Sequence, residues 1–507
     1  MDFLEPGQTC WRIEQASRVA FLVDVQDYFA AVRSVLPTAR RSIHLIGWGF
    51  DPRTRMQPDG FERPHDPDEL GELLIALAND RPDLDVRLLI WKSALPIAAS
   101  QEFFPHRARA WFKHSKVKFR LDDAVPLGGC HHQKVLVIDD RIAFCSGGDF
   151  GTDRWDTIAH LDDDARRIDP NLAYHPPRHE VTMMVDGPAA RALGDHVRKR
   201  WLRATGETVE PPANDASDVI PIDAWPDFVP VAMREAPVAI ARTEPAWHKQ
   251  PLVEEWKALT LRSIAMAERT LYLENQYFTS PIIAEALARR LADPDGPEIV
   301  LISTEHSPSY FDKITMDRAR SIAVRRLREA DVFGRLRILA PHTAHGKPII
   351  VHAKVTIVDD RLARIGSANL NNRSGGLDTE IELAVEANDA AHAQAITTLR
   401  NRLVGHYFGR SAADIATAIE RRGGLIGAID HLNTHGRLTQ ITPLKLGRFT
   451  RFIAAYHLGD PGGFGDAWKP IERRRLLDAS VRAIAQAPIS KSITKGRWSE
   501  AIRVEGS

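Results

Sequence analysis

The sequence predicts an α/β protein with two similar lobes, each a mixed sheet flanked by helices, related by a pseudo-twofold axis with a shared site at their interface. Three observations predict this architecture. Strand-like apolar segments alternate with helix-like segments, which is typical of helices covering a mixed sheet. The second half of the chain repeats the order of elements in the first half. A short polar motif occurs once in each half, 220 residues apart.

Length and composition limit what this chain can be. Its 507 residues exceed the usual single core, so two or three domains or one fused pair are expected. Apolar residues make up 44% and charged residues 26%, as in ordinary globular proteins. Lys+Arg and Asp+Glu both total 67. The resulting net charge of zero argues against a polyanion-binding surface, so no nucleic-acid partner is expected.

Cysteine usage and hydropathy indicate the compartment. The three cysteines, Cys10, Cys130 and Cys145, give no disulfide framework, which fits a reducing environment. The N-terminus lacks the basic and apolar regions of a signal peptide. No apolar run approaches the roughly 20 residues that span a bilayer. We therefore expect a cytoplasmic protein whose contact with membranes, if present, is peripheral.

The matched elements follow one another in the same order in both halves. A helix end running into a strand comes first, then a helix and a strand, then a longer helix and a strand, and then the strand with the polar motif. A strand of alternating apolar and polar residues closes each half, as expected of half-buried strands. The pairs are 39–48 and 267–276, 68–80 and 282–292, 85–91 and 298–304, 101–114 and 310–330, 117–123 and 335–342, and 179–187 and 379–387.

Two segments fall outside the repeat. Residues 206–245 are rich in Pro, Asp and Ala and are interpreted as the linker between the halves. This assigns residues 1–205 to the first lobe and 246–410 to the second. Residues 411–507 have no counterpart in the first half and combine helical patterns with a Gly-rich stretch. They predict a C-terminal extension of helices and loops.

The polar motif is a histidine, a lysine two positions later and an aspartate five positions after the lysine. Residues i and i+2 of a strand face the same side, so each histidine points together with its lysine. The aspartate has the opposite parity and is expected to brace the strand or the following turn. One such tetrad could arise by chance among 20 histidines, whereas two inside a matched repeat are hard to obtain by accident. The two sets are His132, Lys134 and Asp139, and His352, Lys354 and Asp359.

Paired histidines and lysines suit the cleavage of a phosphodiester. That reaction needs a nucleophile, a proton donor for the leaving alkoxide, and positive charge around the equatorial oxygens. One neutral histidine can attack phosphorus to give a phosphohistidine. A second, protonated histidine can act as the acid and later as the base for water or an alcohol. Two lysines supply the charge that Mg²⁺ supplies elsewhere, and the sequence has no compact ligand cluster, so neither a metal nor another cofactor is expected.

The duplicated H-x-K-x4-D resembles the signature of the phospholipase D superfamily. Residues 365–374 resemble the family's stretch after the second motif, and residues 271–278 and 146–156 resemble segments of phosphatidylcholine-type phospholipases rather than of small nucleases. So does the stretch HEVTMMVDGPAARAL followed by Trp201. The resemblance covers roughly residues 10–410 and implies two phospholipase D-type lobes.

The resemblance also implies residues that bind substrate. Ser367 and Asn369 would help to hold the phosphate. Gly147 and Asp149 occupy the corresponding loop of the first half. Ser146 departs from the pattern there, because relatives usually have the first glycine of a Gly-Gly pair at this position.

Family members orient each catalytic histidine with a carboxylate outside the tetrad. The matched strands put Glu180 and Glu380 at equivalent positions, and a buried glutamate needs a partner such as an imidazole N–H. A solvated glutamate at a strand edge is the alternative, and Asp378 competes with Glu380. By analogy His132 is the nucleophile and His352 the acid and base, although the internal repeat leaves the reverse assignment open.

The function that the resemblance implies is phospholipase D. It would hydrolyse a glycerophospholipid at a membrane surface to phosphatidic acid and a free headgroup, with transfer to an alcohol from the same intermediate. A cardiolipin synthase is the main alternative, although its common forms carry N-terminal membrane helices. A nucleic-acid phosphodiesterase is disfavoured by the zero net charge, and a non-enzymatic binding protein by the two intact tetrads. These motifs do not specify the headgroup or the oligomeric state.

Overall fold

The computed structural model describes residues 2–58, 68–93, 105–212 and 223–487. One large mixed sheet carries helices on both faces, and the α/β prediction is confirmed. Over these ranges, every helix is too short or too polar to span a bilayer. Parts of the expected helix, linker and extension lie outside the described residues, namely 101–104, 213–222 and 488–507.

The described residues contain eighteen strands. They are β1 (Arg12–Val23), β2 (Ser42–Gly47), β3 (Asp85–Trp91), β4 (Lys118–Asp122), β5 (Val135–Ile138), β6 (Ile142–Ser146), β7 (Arg178–His179), β8 (Val181–Asp186), β9 (Met233–Glu244), β10 (Val253–Glu254), β11 (Thr270–Glu274), β12 (Glu298–Ile302), β13 (Leu336–Pro341), β14 (Ile350–Val351), β15 (Val355–Val358), β16 (Leu362–Gly366), β17 (Glu380–Glu386) and β18 (Leu438–Gln440).

Helices connect most of these strands. Over the described ranges they are α1 (Val25–Val35), α2 (Leu70–Asp80), α3 (Pro105–Trp111), α4 (Gly187–Thr205), α5 (Glu255–Met266), α6 (Pro281–Ala292), α7 (Tyr310–Ala330), α8 (Asn372–Gly376), α9 (Ala390–His406), α10 (Ala412–Arg422), α11 (Leu425–Leu432), α12 (Arg448–Ala455) and α13 (Pro470–Gln486), with a 3₁₀ turn at Leu36–Thr38.

The strand order is the same in both halves, counted outward from the centre. β1 and β9 pair antiparallel in the middle of the sheet. Outward from β1 come β8, β6, β5, β2, β3 and β4, and outward from β9 come β17, β16, β15, β11, β12 and β13. β10 pairs with β9, and β18 extends the outer edge beside β13. The two expected lobes therefore share one continuous sheet.

The linker expected over 206–245 was too long. Its last part forms β9, which pairs with β1 on one side and with β17 on the other. The proline and aspartate content of the segment concealed a short apolar run, Val238–Ala241, that is completely buried. Burial of these side chains on both faces of the sheet outweighs the local turn signals.

A single apolar core joins the two halves on one face of the sheet. It contains Val181 and Met183 from β8 together with Ile381 and Leu383 from β17, and α4 and α9 cover it. Each fully buried side chain of this size contributes about 1.5–3 kcal/mol. This shared core fixes β8 and β17 on either side of the central β9–β1 pair, and a glutamate of the site begins β17 or immediately precedes β8.

Local signals set the ends of the helices beside the site. Ser280 accepts a hydrogen bond from the Ile283 N–H at the start of α6, and Pro281 occupies the first turn. Helix α4 ends at Gly206, whose φ of 75° favours glycine. These ends position the adjoining loops rather than the reacting groups.

Candidate active site

Two short backbone pairings between the halves position the motif histidines. The His352 N–H donates to the His179 carbonyl at 2.9 Å, next to the parallel pair formed by β14 and β7. The His132 N–H donates to the Thr379 carbonyl at 3.0 Å. Both acceptors belong to the opposite half, and each immediately precedes one of the matched glutamates. Each pairing therefore brings a histidine beside a glutamate from the other half.

The ring nitrogens contact those glutamates directly. His132 Nδ1 lies 3.0 Å from Glu380 Oε2, and His352 Nδ1 lies 2.7 Å from Glu180 Oε2. Both glutamates are only 1% exposed, so the alternative of a solvated strand-edge residue was wrong. Because Nδ1 is engaged, Nε2 is the nitrogen left for a substrate.

Asp378, the competitor of Glu380, has other partners. Its Oδ1 lies 2.7 Å from Arg373 Nη2 and accepts the Cys130 N–H at 2.9 Å. It therefore holds the backbone just before the first motif and leaves the imidazole of His132 to Glu380.

The side chain of each motif lysine folds back toward the histidine of its own motif. Lys134 Nζ donates to the His132 carbonyl at 2.8 Å and lies 3.2 Å from Asp149 Oδ2. Lys354 Nζ makes the same bond to the His352 carbonyl. Both lysines are buried. Each ammonium group is thus fixed beside the histidine of its own motif.

Three of the four residues expected to bind substrate contact other groups of the protein, and their binding of substrate stays a prediction. Ser367 donates its hydroxyl to Glu380 Oε2 at 2.5 Å and so helps to hold that carboxylate. Asp149 accepts the Trp48 N–H at 2.8 Å and forms an ion pair with Lys134. Its negative charge therefore holds the lysine ammonium group in place.

Gly147 is the third of these residues, and it provides space. A Cβ on Gly147 would lie 2.6 Å from Glu180 Oε1, and one on Gly148 would lie 2.6 Å from Glu180 Oε2. The Gly366 carbonyl lies only 3.0 Å from that Cβ position on Gly147. The loops of the two halves therefore touch at this point, and the Gly-Gly pair accommodates the Glu180 carboxylate.

Asn369 is the fourth residue, and its side chain remains available. It is buried, and its Oδ1 has no hydrogen-bond partner among the described residues. Its backbone N–H donates to Ser374 Oγ at 3.0 Å, and that hydroxyl donates to Glu380 Oε1 at 2.7 Å. The Asn369 backbone is thus linked through the Ser374 hydroxyl to Glu380, the partner of His132.

The tetrad aspartates brace neighbouring strands, as their opposite parity predicts, and their place among the catalytic residues stays a prediction. Both have positive φ, 53° for Asp139 and 54° for Asp359. Each carboxylate accepts three backbone N–H groups at 2.7–3.1 Å and so fixes the start of a neighbouring strand. The donors are Arg40, Arg41 and Ser42 for Asp139, and Glu268, Arg269 and Thr270 for Asp359.

Comparisons with known proteins agree on one family. Residues 260–403 match the family described as "Cardiolipin synthase, PLD-like domain". Phospholipase D1 of Saccharomyces cerevisiae is 23% identical over 91% of this chain and 32% of its own length. These similarities support the assignment of the chain to the phospholipase D superfamily. Cardiolipin synthase A of Pseudomonas putida is 28% identical over 54% of this chain and 46% of its own length.

A solved structure supports the fold. The crystal structure of phosphatidylserine synthase from Haemophilus influenzae matches with a TM-score of 0.53 and 13% identity, covering 78% of this chain and 88% of that one. This chain spans 32% to 54% of the length of the first curated phospholipases D that it matches.

Burial shifts the proton affinities of this phospholipase D-type site. It raises the pKa of Glu180 and of Glu380 to about 7. Burial, followed by the charges of Lys134 and Lys354, lowers the pKa of His132. Burial lowers the pKa of His352, followed by the charges of Lys354, Arg178, Arg154 and Lys134. Each lysine therefore acts on both imidazoles, and the two motifs form one electrostatic site.

An anionic substrate would partly reverse these shifts. A bound phosphodiester carries a negative charge close to both imidazoles, and an opposite charge favours their protonated form. Burial also lowers the pKa of Lys354 to about 7. The site thus favours neutral imidazoles on its own, and a bound phosphate makes protonation of one imidazole more favourable.

Two arginines on the His352 side of the site extend its positive charge. Arg154 and Arg178 are buried and contribute to the lowered pKa of His352. Burial lowers the pKa of Arg178 itself to about 10. The sequence gave no sign of Arg178 beyond its position two residues before Glu180.

Proposed function

We propose that this protein is a phospholipase D that cleaves the phosphodiester of a glycerophospholipid to phosphatidic acid and a free headgroup through a phosphohistidine. One observation carries the proposal. Two imidazoles each have Nδ1 held by a buried glutamate of the other half, and both lie in the field of the same two lysines. This arrangement matches what a two-step transfer through histidine requires.

In the first step, His132 Nε2 attacks phosphorus and forms a P–N bond. The bond from phosphorus to the headgroup oxygen breaks, and His352 donates its Nε2 proton to that oxygen. Glu380 stabilises the positive charge that develops on the His132 ring. Lys134 and Lys354 stabilise the charge on the equatorial oxygens of the transition state.

In the second step, His352 is neutral and acts as the base. It takes a proton from water, whose oxygen attacks phosphorus as the P–N bond breaks and His132 is released. An alcohol in place of water would give a phosphatidyl alcohol by the same route. The Asn369 amide, with its unpartnered oxygen beside this network, is proposed to contact the phosphate through its Nδ2.

Exposed apolar side chains next to the site support a lipid substrate. Trp468 and Leu127 are each 70% exposed and Phe464 is 50% exposed. The Trp468 ring lies 3.9 Å from the position of a Cβ on Gly128, four residues before His132. We propose that this edge, built partly from the C-terminal extension, contacts the membrane peripherally and delivers the phospholipid.

A phosphatidyltransferase of the cardiolipin synthase type is the second candidate. The family match over 260–403 and the Pseudomonas relative favour it. The chemistry is the same up to the phosphohistidine, and a second phosphatidylglycerol then replaces water as the acceptor. A nucleic-acid phosphodiesterase would use the same histidines, but the zero net charge counts against it.

One product analysis tests the proposal. The protein is incubated with vesicles of mixed phosphatidylcholine, phosphatidylethanolamine and phosphatidylglycerol, with and without ethanol, and the lipids are identified by mass spectrometry. We expect phosphatidic acid, and phosphatidylethanol when ethanol is present. Cardiolipin as the main product would favour the transferase. Cleavage of an oligonucleotide with no lipid turnover would overturn the proposal.

Trapping the intermediate tests the roles of the two histidines. Acid-free quenching and peptide mapping should place the phosphoryl adduct on His132, and His132→Asn should abolish it. The matched control is His345→Asn, a side chain that is 84% exposed, which should leave labelling unchanged. An adduct on His352 would exchange the two roles.

A further inference from the structure

A second histidine cluster is buried behind the candidate active site. Asp24, His160, His179 and His406 each present a potential ligand atom, and these atoms all lie within 4.8 Å of one another. All four residues are buried. They come from the residue before α1, a loop, β7 and the last residue of α9. No sequence spacing indicates this cluster, because its members span positions 24 to 406.

Several polar atoms of the cluster lack hydrogen-bond partners. Among the described residues, these are Asp24 Oδ2, His160 Nε2 and the ring nitrogen of His406 that does not face the Leu403 carbonyl. Leaving a buried polar atom unpaired costs about 1–3 kcal/mol, and native proteins seldom tolerate several in one place. Three neighbouring side chains with unpaired atoms therefore indicate a missing partner that binds all of them.

The outer contacts of the cluster are those of a metal site. His160 Nδ1 lies 2.9 Å from Asp156 Oδ2, and His179 Nε2 lies 2.9 Å from Glu274 Oε2. A carboxylate on the second ring nitrogen is what fixes the tautomer and orientation of metal-binding histidines. Asp156 is itself held, because its Oδ2 accepts the Arg178 N–H at 2.8 Å.

We propose that Asp24, His160, His179 and His406 bind one divalent transition-metal ion of the Zn²⁺ class. Three imidazoles and one carboxylate are a donor set that Zn²⁺ accepts in a closed, four-coordinate structural site. Tetrahedral bonds of about 2.0–2.1 Å place the ligand atoms about 3.4 Å apart, so the widest separation must close by just over an ångström. The proton that His179 Nδ1 shares with Asp24 Oδ1 at 2.8 Å is released to solvent on binding.

A second buried charge cluster lies beside the other glutamate of the site. There Thr379 precedes Glu380, and the buried carboxylate behind it, Asp122, pairs with Arg200 at 2.6 Å and with His131 at 3.0 Å. Arg200 supplies the positive charge on that side. On the His179 side the Asp24 carboxylate meets the imidazoles of His179 and His160, and the metal ion supplies the charge.

The ion would stabilise one side of the active site without touching substrate. The Asp24 N–H donates to the Glu180 carbonyl at 2.8 Å, and the Glu180 N–H donates to Asp24 Oδ1 at 3.2 Å. The His179 carbonyl accepts the His352 N–H. Two of the four ligands thus hold the backbone of the Glu180–His352 pair, and the ion acts as a structural clamp beneath it.

Metal content of the untagged full-length protein is the first test. After dialysis against metal-free buffer and reconstitution with Zn²⁺, elemental analysis should give about one zinc per chain. His160→Ala and His406→Ala should each lose it, while the exposed control His345→Ala should retain it. No bound zinc in the reconstituted protein, or full retention in both cluster variants, would overturn the proposal.

A spectroscopic test does not depend on whether those variants fold. Co²⁺ in place of Zn²⁺ should give the intense visible absorption of a four-coordinate ion in the wild-type protein, and Zn²⁺ should raise its unfolding temperature. Only weak six-coordinate absorption, with no thermal shift, would overturn the site. The proposal is independent of the lipid reaction: zinc binding without lipid turnover would leave it standing and overturn the proposed function alone.

Discussion

His132 Nδ1 lies 3.0 Å from Oε2 of Glu380, a residue 248 positions further along the chain. The reciprocal pair, His352 and Glu180, is separated by 2.7 Å. Each half contributes the histidine of one pair and the glutamate of the other, so neither half contains a complete pair. The shared sheet and the core that spans β8 and β17 hold the two pairs together.

Replacing either glutamate by glutamine should reduce turnover while preserving the fold. Glu380→Gln and Glu180→Gln keep a hydrogen-bond acceptor near Nδ1 but remove the negative charge that stabilises a charged imidazole. We expect kcat on phospholipid vesicles to fall about 10²-fold or more. Glu386→Gln, at the end of the same strand where Glu386 contacts the Phe3 backbone, should leave kcat unchanged. A kcat within threefold of wild type for both site variants would contradict the proposed roles.

A methyl group at Gly147 should inactivate the enzyme through Glu180. The added Cβ would lie 2.6 Å from Glu180 Oε1, so the carboxylate must move and release His352 Nδ1. We expect Gly147→Ala to lower kcat by at least about tenfold, because a misplaced general acid no longer reaches the leaving group. Gly463→Ala is the control, since nothing lies within 4 Å of a Cβ there. Equal activity of the two variants would show that Glu180 does not need its present position.

Strand parity predicted that each motif histidine points together with its lysine, but both pairs lie just before β5 and β15 rather than inside a strand. A two-residue spacing put His132 with Lys134 and His352 with Lys354, and each pair is now joined by a lysine bond to the histidine carbonyl. The opposite parity of Asp139 agrees with its contacts to the start of β2. Alternating apolar segments predicted the α/β layers because burial enforces both periodicities.

Other features of the fold and of the site depend on contacts between residues far apart in the chain, which local sequence patterns do not encode. Ser367 holds Glu380 because the two residues are brought together by the pairing of β16 with β17, which the local pattern around Ser367 does not encode. The strand β9 was hidden in a segment rich in turn-forming residues. Asp24 and His406 lie close together in the fold but far apart in the sequence, so no motif spacing could predict their contact.

Asp139 should matter for stability and not for chemistry. Its carboxylate accepts three backbone N–H groups, and Asp139→Ala leaves these donors without their partner at a position with φ of 53°. We expect a loss of about 3 kcal/mol in unfolding free energy from denaturant titration. Asp139→Asn keeps one acceptor oxygen and tolerates positive φ, so it should lose only about 1 kcal/mol.

The outcome for Asp139 is decided by activity per folded molecule. Both variants should retain the wild-type kcat/KM at a temperature where they are fully folded. A large loss of kcat/KM in the fully folded Asp139→Asn variant would show that this aspartate takes part in the reaction.

The rate should decline on the alkaline side because Lys354 loses its proton. Burial lowers the pKa of Lys354 to about 7, so its ammonium form is complete below that pH and is lost as the pH rises through it. Since the ammonium group stabilises the charged transition state, kcat/KM, which reports the free enzyme, should fall above about pH 7. A bound phosphate anion favours the charged lysine, so the corresponding limb of kcat should lie at higher pH.

Lys354→Arg tests the assignment of that limb. A guanidinium stays protonated throughout the accessible range, so the alkaline limb of kcat/KM should disappear or move up by at least one pH unit, even though the altered geometry lowers the maximum rate. Burial raises the pKa of Glu180 and Glu380 to about 7 as well, and their protonation should produce the acid limb, which Lys354→Arg leaves in place. An alkaline limb that persists unchanged in the arginine variant would mean that another group titrates there.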